Sequence, residues 1–570
     1  MTAHFGARGG QKEAVGMIAT LTQPRIAQPA SPRTHLRPRD VQAFTRAPLS
    51  WAAFVVTASA IASVAYICWL TPLNLSPDEA HYWDWSRNLD WSYYSKGPLI
   101  AWLIRASCEL FGPLSIALTG DLAAAVRLPA VACHVGVLVG WYTLAARVFR
   151  SPQLGLATVC CAATLPLVRV GAVIMTIDPP FLFCWCWSLV CVLRALETDR
   201  TRWWVGAAAL TAVGILAKYT MALFPVAVLG FLLFHRRGEF RKPGIWLLLA
   251  GAAIGWVPIV AWNAGHDWVS FRHVFGQVGV SGSKPGGVFL FLGGQLGMLF
   301  GFWLAAFLAA GWRFRPTREA DSGIRLLWWA SVPVWLLFAA ASLVKSGQPN
   351  WPAPAYFGGL VLAVALTREL LAWRRRLVVG CLALSTVSGF LVITGIHFPD
   401  AFRPILASVV RSPSEKDPYP VRRLDITARI AGWKQLAGEV DAVRARVRAE
   451  TTREPIVAGT HWTTPGELGF YCSDHPTVYA VGVANQTDRH SQYDVWRPNP
   501  VADAQEFRGQ TFVIVGEIGA DVKNAFERIE PLTRVVHISN GVPVTGWEIW
   551  VCHGFRGFNR VPPPPSGSHY

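Results

Sequence analysis

Charge is what this sequence has little of. Only 15% of its 570 residues are Asp, Glu, Lys or Arg, where a soluble domain carries about 25%. That shortage excludes an ordinary cytoplasmic enzyme. Cysteine–histidine patterns with zinc spacing are missing too. Of the eleven cysteines, nine (Cys68, Cys108, Cys133, Cys160, Cys161, Cys184, Cys186, Cys191 and Cys381) lie in or beside apolar blocks, where a thiol packs as a small hydrophobe. Met1–Ser50 has no apolar run of the kind a cleaved leader needs, so it reads as a disordered basic tail, and the first apolar block reads as an uncleaved anchor. No long internal repeat is visible.

What the chain has instead is apolar length. Mean hydropathy is +0.33, and 52% of residues are hydrophobic. They gather between Trp51 and Ile396 into blocks near the ~20 residues that cross a bilayer. Trp (27) and Phe (30) are abundant, as suits rings anchored at a membrane interface. The net charge of +17 is not a nucleic-acid signal: Phe398–Tyr570 holds 19 Lys+Arg against 19 Asp+Glu, so the excess lies in residues 1–397. There it sits in short loops rather than on one basic face, and no nucleic-acid partner is expected.

Eleven spans are expected, at about 51–72, 122–146, 153–170, 179–196, 203–217, 219–234, 245–263, 288–310, 326–344, 351–367 and 377–396. Alternate loops (Arg147–Arg150, Arg194–Arg202, Arg236–Lys242, Arg313–Arg325, Arg368–Arg376) are rich in Lys and Arg, which keeps them cytoplasmic. The N-terminus is then cytoplasmic, and the other loops and everything from Phe398 onward are extracytoplasmic. The segment 97–112 is apolar but carries Arg105 and Glu109. Reading it as a span would invert every later loop, so it is expected to lie along the interface.

Residues 398–560 read as a small extracytoplasmic α/β domain, followed by a disordered tail, 561–570. A helical pattern covers Ile426–Ala449, with others at Pro465–Tyr471 and Asp521–Ile529. Strand-like runs lie at Pro455–Gly459, Thr477–Val481, Thr511–Val515, Arg534–Ile538 and Val544–Val551. Cys472 and Cys552 fall in this domain, and a disulfide between them is left open.

The densest polar cluster follows the first span, Ser76-Pro77-Asp78-Glu79-Ala80-His81-Tyr82. It reads either as a capped interfacial helix or as a site whose carboxylates act as general base or metal ligand. Lys96 either snorkels at the interface or pairs with a phosphate. Asp178 either caps a helix or is a functional acid at membrane depth. Lys218 has no loop to sit in and needs an anionic partner. The loop 264–287 holds His266, Trp268, Arg272 and His273, which read either as structural residues or as groups able to close over a bound substrate.

Asp78-Glu79, Lys96-x-Pro98, Asp178-Pro179, Lys218-Tyr219-Thr220 and Pro349-Asn350-Trp351-Pro352-Ala353 occur in this order. Together they resemble the bacterial GT-C membrane glycosyltransferases of the protein O-mannosyltransferase and lipid A aminoarabinose transferase type, with an RgtA/B/C/D-like domain, over roughly residues 50–400. The resemblance implies a GT-C polytopic α-helical fold over 51–397, with interfacial helices in the first outer loop. It also implies a location in the bacterial inner membrane.

The activity implied is transfer of a sugar from a polyprenyl-phosphate donor to an envelope acceptor at the outer face, with inversion. Asp78 is then the base, with Glu79 and Asp178 as further catalytic acids. Tyr82, Lys96, Lys218, Tyr219, His266 and Asn350 are substrate-binding residues, with Lys96 and Lys218 at the phosphate. No cofactor is required; should a divalent metal bind, Asp78 and Asp178 are its candidate ligands. Ser95 stands where the aminoarabinose transferase has Glu, which removes one carboxylate from such a site, and His81 stands where it has Arg. The rival readings are a polytopic lipid-sugar flippase or transporter, or a ligase with a diphosphate-lipid donor. A transporter places broken helices and polar sites near the midplane, whereas here the polar residues collect at one surface.

Overall fold

The computed structural model describes residues 38–278, 287–317, 319–344, 347–486 and 488–559. The chain divides into Met1–Ala47 and one compact unit, Pro48–Tyr570. Of the expected tail, residues 1–37 lie outside the described residues, whereas Pro38–Ser50 already belong to the first helix, Pro38–Ala65. The tail expected at 561–570 also lies outside them.

All eleven expected spans are helical, but they are not eleven equal rods. Among the described residues eight helices are long and apolar enough to cross a membrane, or up to nine with a bent pair counted as one span. Three expected spans are short: Pro152–Ala162, Thr201–Ala217 and Tyr219–His235. The expected span 288–310 is two helices, Gly287–Leu299 and Phe302–Arg313, joined at 105°. The bend sits at Phe300 and Gly301, both with φ of 52°, a conformation that ends a helix. Where helices approach most closely, small residues face each other. A Cβ on Gly251 or Gly255 would fall 2.4 or 2.6 Å from the carbonyl oxygen of Ala208 or Ala212, the small-xxx-small packing that membrane helices use.

The helix ends alternate between two faces. At one face the basic loops meet: Lys242 pairs with Asp199 (2.6 Å), Arg147 with Glu197 (3.5 Å) and Arg313 with Glu369 (3.2 Å). At the other face the remaining loops converge under the C-terminal domain. The helix Leu99–Thr119 has 21 residues and passes the length test for a span, yet both its ends lie at this second face. Just before its start, Gly97 packs on the backbone of Leu216, next to Lys218. Just past its end, Asp121 pairs with Lys434 of the C-terminal domain (3.4 Å). Its exposed face carries Leu110, Phe111, Leu114 and Ile116, as an interfacial helix requires.

The C-terminal part holds a six-stranded mixed sheet: β1 (Ile456–Gly459), β2 (Val478–Ala480), β3 (Phe512–Val515), β4 (Arg528–Ile529), β5 (Thr533–Ser539) and β6 (Val542–His553). The order is β2-β1-β3-β6-β4, with β5 also on β6. β1 pairs in parallel with β2 and β3, and β6 is antiparallel to its neighbours. Expectation and structure differ at two places. Gly432, with φ of 82°, starts the helix Trp433–Thr451 later than periodicity suggests. Asp521–Ile529, expected as one helix, is a four-residue helix, Ala520–Lys523, followed by β4. Cys472 and Cys552 are free thiols in separate apolar clusters; the bond left open by the sequence is absent.

Candidate active site

The helix Pro77–Arg87 opens with Ser76 as N-cap and Pro77 in the first turn. Ser76 Oγ accepts from the Glu79 N–H (3.3 Å), and the Glu79 carboxylate accepts from the Ser76 N–H (2.8 Å), a reciprocal capping box. Glu79 is fully buried. Its oxygens also accept from Arg127 Nε and Nη2 (3.1 Å each) and from the Met175 N–H (2.8 Å). Arg127 further donates to the carbonyls of Leu73 and Asn74. The Glu79 carboxylate is thus consumed in tying the first loop to the helix Ala123–Val148. Expected as catalytic, it has its oxygens engaged by Arg127, 48 positions away, and by the backbone.

Asp78 points the other way. It is partly exposed and has no hydrogen-bond partner among the described residues. Burial raises its pKa, opposed by the nearby cations Lys96, Arg429 and Arg489. Lys96 is the counterpart. Its ammonium makes no hydrogen bond among the described residues, and burial, with Lys218 close by, lowers its pKa to about 8. Tyr82 is buried beside both acids, and burial and the charges of Asp78 and Asp178 push its phenol well up.

Three expected residues from separate loops form one triangle. Asp178 Oδ1 accepts from Lys218 Nζ (2.6 Å), and its Oδ2 accepts from Asn350 Nδ2 (2.6 Å). The side chains of Lys218 and Asp178 are only 10% and 20% exposed, so the pair is largely shielded from water. Both oxygens of Asp178 are therefore engaged, and Asn350 is fixed by the acid rather than held open. Tyr219 stacks on Phe271 (6.2 Å) and packs tilted against Trp256 (5.1 Å). His266 lies apart from the charged cluster. Its Nδ1 meets the Trp262 carbonyl (2.8 Å) and its ring stacks on the Trp262 indole (3.9 Å). Trp262 in turn donates to Asp90 (2.7 Å). His273, from the same loop, packs against Tyr94 (4.9 Å), near Lys96 and Arg489.

No group of three or more His, Cys, Asp or Glu side chains that could hold a metal ion is found among the described residues. Of the two candidate ligands, Asp178 already has both oxygens on Lys218 and Asn350, and Asp78 stands among cations. This donor set does not fit a divalent ion, and no chemical step is assigned to one.

Sequence reasoning missed Arg489 and Arg429. Both come from the C-terminal part, which offers no motif. The only signal was their sign in a domain of balanced charge. That part is seated directly on the first loop. Tyr471 Oη accepts from the Leu75 N–H (2.7 Å), Asn74 Oδ1 from the Trp433 N–H (2.9 Å), and Gln492 Oε1 from the Tyr94 N–H (2.6 Å). Glu467 is fully buried in the helix Thr464–Tyr471, and neither carboxyl oxygen has a hydrogen-bond partner among the described residues. Burial and the nearby Glu79 push its pKa well above the ordinary glutamate range.

The fold is matched in solved structures. ArnT from Cupriavidus metallidurans superposes with a TM-score of 0.54 in its apo state and 0.57 when bound to undecaprenyl phosphate. The identities are 17% and 16%, and in each case 88% of this chain and 98% of ArnT are covered. The chain has the GT-C fold. Residues 95–262 match the dolichyl-phosphate-mannose-protein mannosyltransferase family. Over 299 residues the chain is 30% identical to the lipid A galacturonosyltransferase RgtD of Rhizobium johnstonii, covering 51% of this chain and 60% of RgtD. The chain therefore spans less than two thirds of the length of that relative. These similarities and the apolar helices make it a multi-pass membrane protein of the GT-C type.

Proposed function

We propose that this protein is an integral membrane glycosyltransferase that moves a sugar from a polyprenyl-phosphate donor to an envelope acceptor, a lipid of the lipid A kind being the first choice. The observation that carries the reading is Asp78, a carboxylate with no hydrogen-bond partner among the described residues, near the cations Lys96, Arg429 and Arg489, with Lys218 close to Lys96. Asp78 takes the proton of the acceptor hydroxyl as its oxygen attacks the anomeric carbon. The bond from that carbon to the phosphate oxygen breaks on the opposite side, and the sugar inverts. Lys96 and Lys218 stabilise the charge gathering on the departing polyprenyl phosphate. Asp178 and Asn350 keep Lys218 in place for that task. The site faces the extracytoplasmic side of the bacterial inner membrane, with the basic loops in the cytoplasm.

The purified protein in nanodiscs, given an undecaprenyl-phosphate sugar pool and lipid A, is expected to yield a lipid A product heavier by one glycosyl unit in mass spectrometry. Movement of the intact lipid-linked sugar across the bilayer without any such product would favour the flippase reading and refute this one.

A further inference from the structure

The cations around Asp78 come from both halves of the molecule, and Arg489 is held by a defined scaffold. Its guanidinium lies 4.9 Å from the ring centroid of Trp462. Trp462 packs edge-on against His81 at 5.5 Å, and His81 lies one helical turn from Asp78 on the helix Pro77–Arg87. A single carboxylate ties the two loops together. Asp488 accepts from the backbone N–H of Arg489 (2.8 Å) and also from that of Trp462. Both loops thereby rest on the helix that carries the base.

The Trp462 ring fixes where this guanidinium lies, and a guanidinium is a planar fork of donors that matches a phosphate better than an ammonium does. Lys96, close enough to feel the charge of Arg489, has no hydrogen-bond partner among the described residues, and burial and the nearby Lys218 hold its pKa down near 8. Cations drawn together in this way are relieved by a bound anion.

We propose that Arg489 is a substrate-binding residue that holds a phosphoryl group of the bound substrate against Lys96, so that the C-terminal domain completes the anion pocket of the membrane domain. This rests on the transferase reading above. The phosphoryl group belongs either to the polyprenyl donor or to the acceptor.

Full-length protein in nanodiscs is titrated with undecaprenyl phosphate, with undecaprenol as the phosphate-free control, and separately with lipid A and phosphatase-treated lipid A. Arg489→Gln is expected to weaken binding of one phosphorylated ligand about tenfold, leave its dephosphorylated form unchanged, and recover partly as Arg489→Lys. Loss with undecaprenyl phosphate assigns the group to the donor, and loss with lipid A assigns it to the acceptor. Binding of both within twofold of wild type, in a variant with the wild-type melting temperature, overturns the proposal. Hydrogen exchange on the wild-type protein serves where the variant does not fold. Slower exchange at Asp488–Ser491 with either ligand supports the proposal, and unchanged exchange with both overturns it. A wild-type protein that binds undecaprenyl phosphate but transfers no sugar refutes the transferase reading and leaves the Arg489 result to be judged by the binding data.

Discussion

Asp78 and Glu79 are adjacent, carry the same charge and share the first turn of one helix, yet their amide variants should fail in opposite ways. Glu79→Gln leaves the Arg127 guanidinium, 3% exposed and paired to a fully buried partner, without its counter-charge. Breaking a buried ion pair from one side costs about 3–5 kcal/mol. The carbonyls of Leu73 and Asn74 still accept from Arg127, which favours the lower end. Asp78→Asn removes no partner. Ser76 remains the cap, and the loss to the helix dipole is under about 1 kcal/mol. It does remove a proton acceptor, which lowers a rate by ~10² to 10⁴, equivalent to about 3–5 kcal/mol of barrier. The assay is paired: thermal unfolding in nanodiscs, and turnover normalised to folded protein. Glu79→Gln should melt early and retain turnover per folded molecule. Asp78→Asn should melt like wild type and be inactive. An Asp78→Asn protein within tenfold of wild-type turnover would refute the assignment of the base, and a Glu79→Gln protein with unchanged melting would refute the buried-pair argument.

Lys96 should set the alkaline limb of the pH profile. With its pKa near 8, the cation is present below that pH and lost above it, so kcat/KM should fall as pH rises through about 8, and Lys96→Arg should carry the limb beyond pH 10 because a guanidinium stays charged; an unmoved limb excludes Lys96 as its cause. Glu467 has a raised pKa in the folded state, so its burial costs stability once pH exceeds the ordinary glutamate value of about 4.3, and the cost grows as pH rises. Glu467→Gln should therefore raise the melting temperature at pH 8 and leave it unchanged near pH 4, and a drop at pH 8 would show that the carboxyl has a partner. A membrane-impermeant maleimide, in a background cleared of reactive native cysteines, should label the exposed position of Arg453→Cys in intact spheroplasts and that of Arg236→Cys only after permeabilisation; the reverse order inverts the orientation.

The spans were legible because crossing a bilayer is a local requirement, met by apolar length and interrupted by Arg and Lys. The strands β1, β2, β3, β5 and β6 were legible to within two residues for a similar reason, since alternation and turn residues are short-range signals. The bend at Phe300 and Gly301 was not legible, because the residues on both sides are equally apolar. The candidate site was legible as a set of residues but not as roles. Asp178, Lys218 and Asn350 could each be singled out from an odd charge or motif, but that they bond to one another depends on how three loops converge. Glu79 looked as reactive as Asp78 until Arg127 took up its carboxylate. His266 drew attention as a lone histidine in an outer loop, and its partner is the indole one turn before it. Arg489 was hidden because it belongs to no motif, and its place near Asp78 and Lys96 depends on how the C-terminal part seats on the first loop.

The helix Thr464–Tyr471 passes the helix Pro77–Arg87 at Gly466, where an added Cβ would fall 2.8 Å from the main chain of Ala80 and His81. Main chain lies against main chain along this seam, and the bonds from Asn74, Leu75 and Tyr94 continue it. A seam fastened in this way has no hinge along its line. Parting the two layers along this line would break those three bonds together and expose the buried helix Thr464–Tyr471.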